Sequence, residues 1–265
     1  MSATELNTAA PAWTFTRSFH KAPYPAISPS RPELSQAGKT VLVTGGNAGI
    51  GYAIANAFLE ASAAKVIVTG RRAEATKAAA ASLAAANPDR GEAVGLPCDV
   101  ADAEAVGALW NALEAEGTTV DVLVLNAVKV ADAKPLLDSG VVEVWATFEV
   151  NVRAQLQMTE RFYRQKGEGV KGPKNLINVS SFSIHDHNIA ADRPAYGLTK
   201  NAAALTLQLI AQDTSAEKMQ VVSMNPGGVL TAAARSVGCD EDSYPWNSRK
   251  CLVSRSVLRM LLKFV

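Results

Sequence analysis

"VLVTGGNAGIGYAIANAF", residues 41–58, decides how the rest of the chain is read. Val41, Leu42 and Val43 are a short apolar run of the kind that enters a strand. Ile50, Ile54 and Phe58 then recur every four residues, as one buried helix face requires. Between them stand Gly45, Gly46, Gly49 and Gly51, residues that reach positive φ and let another backbone or a ligand come close. A strand, a glycine turn and a helix N-terminus together make a site for an anionic phosphate. Unpaired N–H groups and the positive end of the helix dipole converge there.

Outward from this stretch, strand-like runs alternate with helix-like ones. Residues 65–69, 92–96, 120–127, 175–181 and 219–226 read as further strands. Between them lie an alanine-rich helix stopped by Asn87-Pro88, a helix with Val106, Trp110 and Leu113 on one face, and longer helices over 141–165 and 195–212. This alternation predicts an α/β fold: one Rossmann-like, doubly wound parallel sheet flanked by helices on both faces.

Three regions are expected. Residues 1–38 are a proline-rich arm whose Trp13, Phe15, Phe19 and Tyr24 would pack on the body or on a partner, or trail as a loose tail; 39–231 are the Rossmann domain; 232–265 are an atypical end. In the last region Leu252, Val253, Val257, Leu258, Leu261 and Leu262 would share one helix face. Lys+Arg 26 against Asp+Glu 25 gives a net charge of +1, with no bulk field to draw nucleic acid or an anionic membrane. Cys98, Cys239 and Cys251 form no CxxC pair and read as reduced thiols. No apolar run approaches the ~18 residues of a membrane span, and no signal-peptide pattern opens the chain, so a cytoplasmic protein is expected.

Five motifs follow one another in an order that resembles the short-chain dehydrogenase/reductase family, over about residues 39–231. They are "TGGNAGIG" (44–51), "VTGRR" (68–72), "CDV" (98–100), "LNAV" (125–128), and an active-site set of Asn151 in "FEVNVRA", serines in "NVSSFS", and Tyr196-x-x-x-Lys200 in "YGLTK". "NPGGVLT" (225–231) adds the family's PGxxxT. The resemblance implies a nicotinamide dinucleotide held by Gly45, Asn47, Gly49, Ile50, Gly51, Asp99, Asn126, Tyr196, Lys200, Pro226, Gly227, Val229 and Thr231. Where NAD-using members place an acid at the end of the second strand, this chain has Gly70 followed by Arg71 and Arg72. A guanidinium binds a 2′-phosphate through two charge-assisted bonds, which favours NADP. "LNAV" departs from the family's NNAG at Leu125 and Val128.

Tyr196 and Lys200, four apart on a helix, project from one face. Phenol titrates near ~10 in water, and a neighbouring ammonium favours its ionised form. In the reaction the resemblance implies, Tyr196 gives a proton to a carbonyl oxygen that Ser181 hydrogen-bonds. Lys200 lowers the phenol's pKa and binds the cofactor ribose, and Asn151 holds a water that links Lys200 to a proton relay. Ser181 lies fifteen residues before Tyr196, where thirteen is common, and Ser183 has the commoner spacing. A two-residue insertion explains this more simply than a shifted strand, which favours Ser181.

An NADP(H)-dependent ketone/secondary-alcohol oxidoreductase is thus expected, working on a small metabolite. Its proline-rich entry is similar to that of filamentous-fungal members, which points to secondary metabolism. A homo-oligomer, dimer or tetramer, is expected from the family. A nucleotide-binding regulatory or scaffold protein, and an enzyme of the same fold catalysing cyclisation or epimerisation, are the alternatives. "HDHN" (185–188) offers too few ligands for a closed metal site, and no metal is expected.

Overall fold

A computed structural model describes residues 24–166, 172–236, 238 and 240–242. Strands β1 (Thr40–Thr44), β2 (Lys65–Gly70), β3 (Glu92–Pro97), β4 (Val122–Leu125), β5 (Lys174–Val179) and β6 (Met219–Met224) form one parallel sheet in the order β3-β2-β1-β4-β5-β6. The helices are α1 (Gly49–Glu60), α2 (Ala73–Ala86), α3 (Ala103–Ala115), α4 (Leu136–Phe148), α5 (Ala154–Arg164), α6 (His187–Asp192), α7 (Pro194–Asp213) and α8 (Ala232–Ser236). Strand order reverses between β1 and β4, and in such sheets ligands bind in the crevice outside the carboxyl ends of the strands at that point.

Alternation along each strand divides the core in two. Val41 and Val43 pack with Ile54 and Phe58 of α1 and Leu83 of α2. Leu42, between them, packs on the opposite face with Trp110 of α3, Met158 and Phe162 of α5, and Leu207 of α7. A strand apolar on both sides needs helices on both sides, hence the three layers. Burying a side chain as large as Phe58 or Phe162, both fully enclosed, contributes about 2–3 kcal/mol. Asp102 caps α3 by accepting from the Glu104 and Ala105 amides, as its position before the helix implies.

Several boundaries differ from the sequence reading. β4 is shorter than 120–127, because the Gln165 side chain engages both the N–H and the carbonyl of Val120 and Asn126 turns toward the glycine loop. β5 and β6 end at Val179 and Met224, before Ser180, Ser181 and Pro226. The single helix expected over 141–165 is two: α4 and α5 meet at a π-helical turn, Glu149–Arg153, and α4 is kinked at Gly140, where φ is +72°.

The arm is tied down from Tyr24 onward. Ile27 and Leu34, in 3₁₀ turns at Pro25–Ile27 and Pro32–Leu34, are buried; Gln36 N–H donates to the Ala61 carbonyl, and Ala37 bridges Ala63. Trp13, Phe15 and Phe19, and the apolar face of 252–262, lie outside the described residues. Among the described residues no helix is long and apolar enough to cross a membrane.

Candidate active site

The turn between β1 and α1 is shaped to leave space. Gly45 sits at φ +62°, and a Cβ on it would lie 3.0 Å from the Ala127 Cα. A Cβ on Gly51 would lie 2.4 Å from the Gly45 carbonyl oxygen and 2.5 Å from Asn126 Nδ2. Asn126 fixes the turn from β4: its Nδ2 donates to the carbonyls of Thr44 (3.0 Å) and Gly45 (3.1 Å), while its N–H donates to Thr44 Oγ1 (2.9 Å). The start of α1 follows Ala48, which offers no capping side chain, and its first turn has no acid. The first amides of the helix are therefore left for an incoming anion.

Gly70 ends β2 beside this turn. A Cβ there would lie 2.7 Å from Asn47 Oδ1, so the space an acidic side chain would need is taken by Asn47. Arg71 and Arg72 are exposed and have no hydrogen-bond or ion-pair partner through their side chains among the described residues. Arg72 is also the residue before α2, and its carbonyl accepts from the Thr76 N–H and hydroxyl.

Across the switch point, α7 presents Tyr196 and Lys200. Lys200 is buried; its Nζ donates to the Val179 carbonyl at 2.8 Å and lies 5.8 Å from the centroid of the Tyr196 ring. Burial draws its pKa down from 10.5 to about 8. Burial raises the Tyr196 phenol above its usual value, and a hydrogen bond from Ser181 partly opposes this by favouring the ionised oxygen. Asn151 is wholly buried in the π-helical turn, where its Oδ1 accepts from the Lys129 N–H (2.8 Å) and its Nδ2 donates to the Lys129 carbonyl (3.0 Å) and Thr199 Oγ1 (2.9 Å). Thr199 in turn donates to the Tyr196 carbonyl (2.9 Å). One amide thus joins the β4 loop to the helix that bears the tyrosine.

Residues 39–242 match the family model for short chain dehydrogenases. The chain belongs to that family. A short chain dehydrogenase/reductase of Aspergillus aculeatus, AacuD, is 33% identical over 216 residues, 82% of this chain and 72% of that one. The active-site complex of Pseudomonas aeruginosa RhlG with NADP is similar in structure, with a TM-score of 0.70, 27% identity, and coverage of 80% of this chain and 81% of that one. A Beutenbergia cavernae protein provisionally assigned as an NAD(P)-dependent gluconate 5-dehydrogenase, with bound NADP, gives 0.72 and 25% identity over 84% and 89%. The protein is thus an oxidoreductase of the short-chain dehydrogenase family that takes a nicotinamide cofactor and a small-molecule substrate. The glycine cradle and the uncapped α1 fit the phosphates of that cofactor.

Within this short-chain dehydrogenase, Gly45, Asn47, Gly49, Ile50, Gly51 and Asn126 come together at the β1 turn. Thr231 reaches the same turn from beyond β6, since a Cβ on Gly49 would lie 3.3 Å from its Cγ2. Thr231 Oγ1 also accepts from the Ala234 N–H and caps α8. Pro226 and Gly227 form a turn in which Asn225 Oδ1 accepts from the Gly227 N–H, and Val229 is buried in the core. Asp99 follows β3, its Oδ1 accepting from the Ala101 N–H. Leu125 is a core residue, and Val128, where the family has glycine, is 41% exposed.

The sequence reading missed two features. α6 fills the segment read as a loop with "HDHN"; Asp186 caps it, and Ala190 packs so closely on α7 that a Cβ on Gly197 would lie 2.7 Å from the Ala190 Cβ. Asp186 two residues ahead of Asn188 was the available cap signal. The second is the structural use of Asn151 and Thr199 described above, for which spacing alone gives no signal.

Proposed function

We propose that the protein is an NADP(H)-dependent reductase that interconverts a ketone and a secondary alcohol, with Tyr196 as acid and base. The observation that carries this reading is the buried Lys200, whose Nζ lies 5.8 Å from the centroid of the Tyr196 ring on α7. The cofactor, when bound, supplies or accepts the hydride. Ser181 orients the carbonyl oxygen. Tyr196 breaks its O–H bond to protonate that oxygen, and the Lys200 ammonium stabilises the phenolate left behind. Lys200 and Tyr196 would also hold the ribose. Asn151 fixes the Lys129 backbone and, through Thr199, the position of Tyr196; this geometry supports positioning in addition to the relay expected of it.

NADP is preferred over NAD. The Arg71 guanidinium has no partner among the described residues, and Asn47 occupies the place of a ribose-binding acid. Gly45, Asn47, Gly49, Ile50 and Gly51 would hold the pyrophosphate with Thr231, Arg71 and Arg72 the 2′-phosphate, and Asp99 and Asn126 the adenosine side. Pro226, Gly227 and Val229 would flank the nicotinamide.

The same reading includes a homo-oligomer. Val141, Val142 and Trp145 on α4, Leu156 and Tyr163 on α5, and Leu205 and Leu209 on α7 are all exposed apolar residues on helices, which a second copy would cover.

Product analysis tests the reaction. With a carbonyl substrate, alcohol should form in proportion to NADPH consumed. Product formed without cofactor consumption would instead indicate cyclisation or epimerisation.

A further inference from the structure

The serine at the commoner spacing is not idle. Ser183 lies in a 3₁₀ turn, Phe182–Ile184, that opens on Ser181, and it is 2% exposed. Its hydroxyl donates to Ser181 Oγ at 3.0 Å, and its N–H points to the same oxygen at 3.3 Å. A hydroxyl has two acceptor lone pairs and one hydrogen. With both acceptor positions of Ser181 engaged by Ser183, the Ser181 hydrogen remains for the Tyr196 oxygen or a substrate carbonyl. Asn201 holds this arrangement against α7, since its Nδ2 donates to the Ser183 carbonyl (3.1 Å) and to the Gly197 carbonyl (2.9 Å). The clamp thus ends one residue after Tyr196 and one after Lys200 on the same helix.

We propose that Ser183 is a positioning residue that fixes the polarity of the catalytic hydrogen bonds, making Ser181 a donor toward Tyr196 Oη and the substrate oxygen. This rests on the reductase reading above. Without the Ser183 hydroxyl, one lone pair of Ser181 is vacant and can accept the phenol O–H. The tyrosine proton would then be held on Ser181, away from the carbonyl oxygen it must reach.

The test replaces Tyr196 with difluorotyrosine, whose phenol ionises in a range the fold tolerates, and follows its fluorine resonance against pH. Lys200, the charged group against the ring, is present in every variant, and its own titration near about 8 is common to all of them. Ser183→Ala should raise the midpoint by about half a unit or more relative to Ser183, the size of one hydrogen bond gained by the neutral phenol. Ser183→Thr, which keeps the hydroxyl, should titrate as Ser183 does. In the unlabelled enzyme, Ser183→Ala should lower kcat about three- to tenfold with KM for NADPH unchanged. A midpoint that stays put or falls in Ser183→Ala, or one that rises equally in Ser183→Thr, overturns the proposal. The titration needs neither cofactor nor substrate, so absence of turnover with every carbonyl bears on the reductase reading alone.

Discussion

Lys200 Nζ lies 5.8 Å from the centroid of the Tyr196 ring and is enclosed by protein, with the Val179 carbonyl as its hydrogen-bond acceptor. Holding a cation there costs stability. Burial lowers its pKa from 10.5 to about 8, so the unfolded chain binds this proton more tightly than the folded one. The Lys200 contribution therefore improves as pH rises from about 8 to 10.5 and is lost as pH falls through about 8.

Lys200→Met should accordingly stabilise the cofactor-free protein at pH ~7. Relief of burial is worth about 3 kcal/mol, offset by about 1 kcal/mol for the lost bond to Val179, leaving a net gain on the order of 2 kcal/mol. Urea unfolding at neutral pH measures it. The advantage over wild type should shrink as the pH approaches 10.5.

Arg71→Ala should weaken NADPH binding about ten- to a hundredfold, the worth of one or two charge-assisted hydrogen bonds. NADH affinity should stay within about twofold, since NADH has no 2′-phosphate. Calorimetric titration of both nucleotides reads the difference. Equal losses for both would mean that Arg71 touches something other than the 2′-phosphate.

Gly51→Ala places a methyl 2.4 Å from the Gly45 carbonyl oxygen and 2.5 Å from Asn126 Nδ2. Neither neighbour can retreat without breaking the clamp on the turn. Overpacking of this kind costs about 1–3 kcal/mol, so a lower Tm and loss of measurable nucleotide binding are expected together in a thermal-shift assay with and without NADPH.

Leu205→Glu on the exposed face of α7 should convert the oligomer to a monomer with its fold intact. Sedimentation velocity decides, and a monomeric wild type at micromolar concentration would remove the oligomer from the account.

The β1-turn-α1 unit was legible because a short apolar run and a period of nearly four meet across closely spaced glycines. The doubly wound parallel sheet followed from strand-like runs alternating with helices, runs such as 65–69 and 175–181, which occupy β2 and β5 with shifts of a residue or two. The break in 141–165 was not legible, because it is a π-helical turn, Glu149–Arg153, in which Asn151 bonds to Lys129, a tertiary contact. α6 is six residues long, too short for periodicity to register. The closeness of Tyr196 and Lys200 on one face of α7 was readable from their spacing. The pairing of Ser183 with Ser181 was not, because it depends on the direction of one hydroxyl.

The central claim is that Tyr196 transfers a proton while NADPH is consumed. The measurement is NADPH binding and its oxidation with a panel of ketones, for wild type and Tyr196→Phe. Both proteins should bind NADPH, and the mutant should lose about a hundredfold or more of the turnover, the worth of general acid catalysis. Equal turnover by the two, or no NADPH binding by the wild type, would contradict the account.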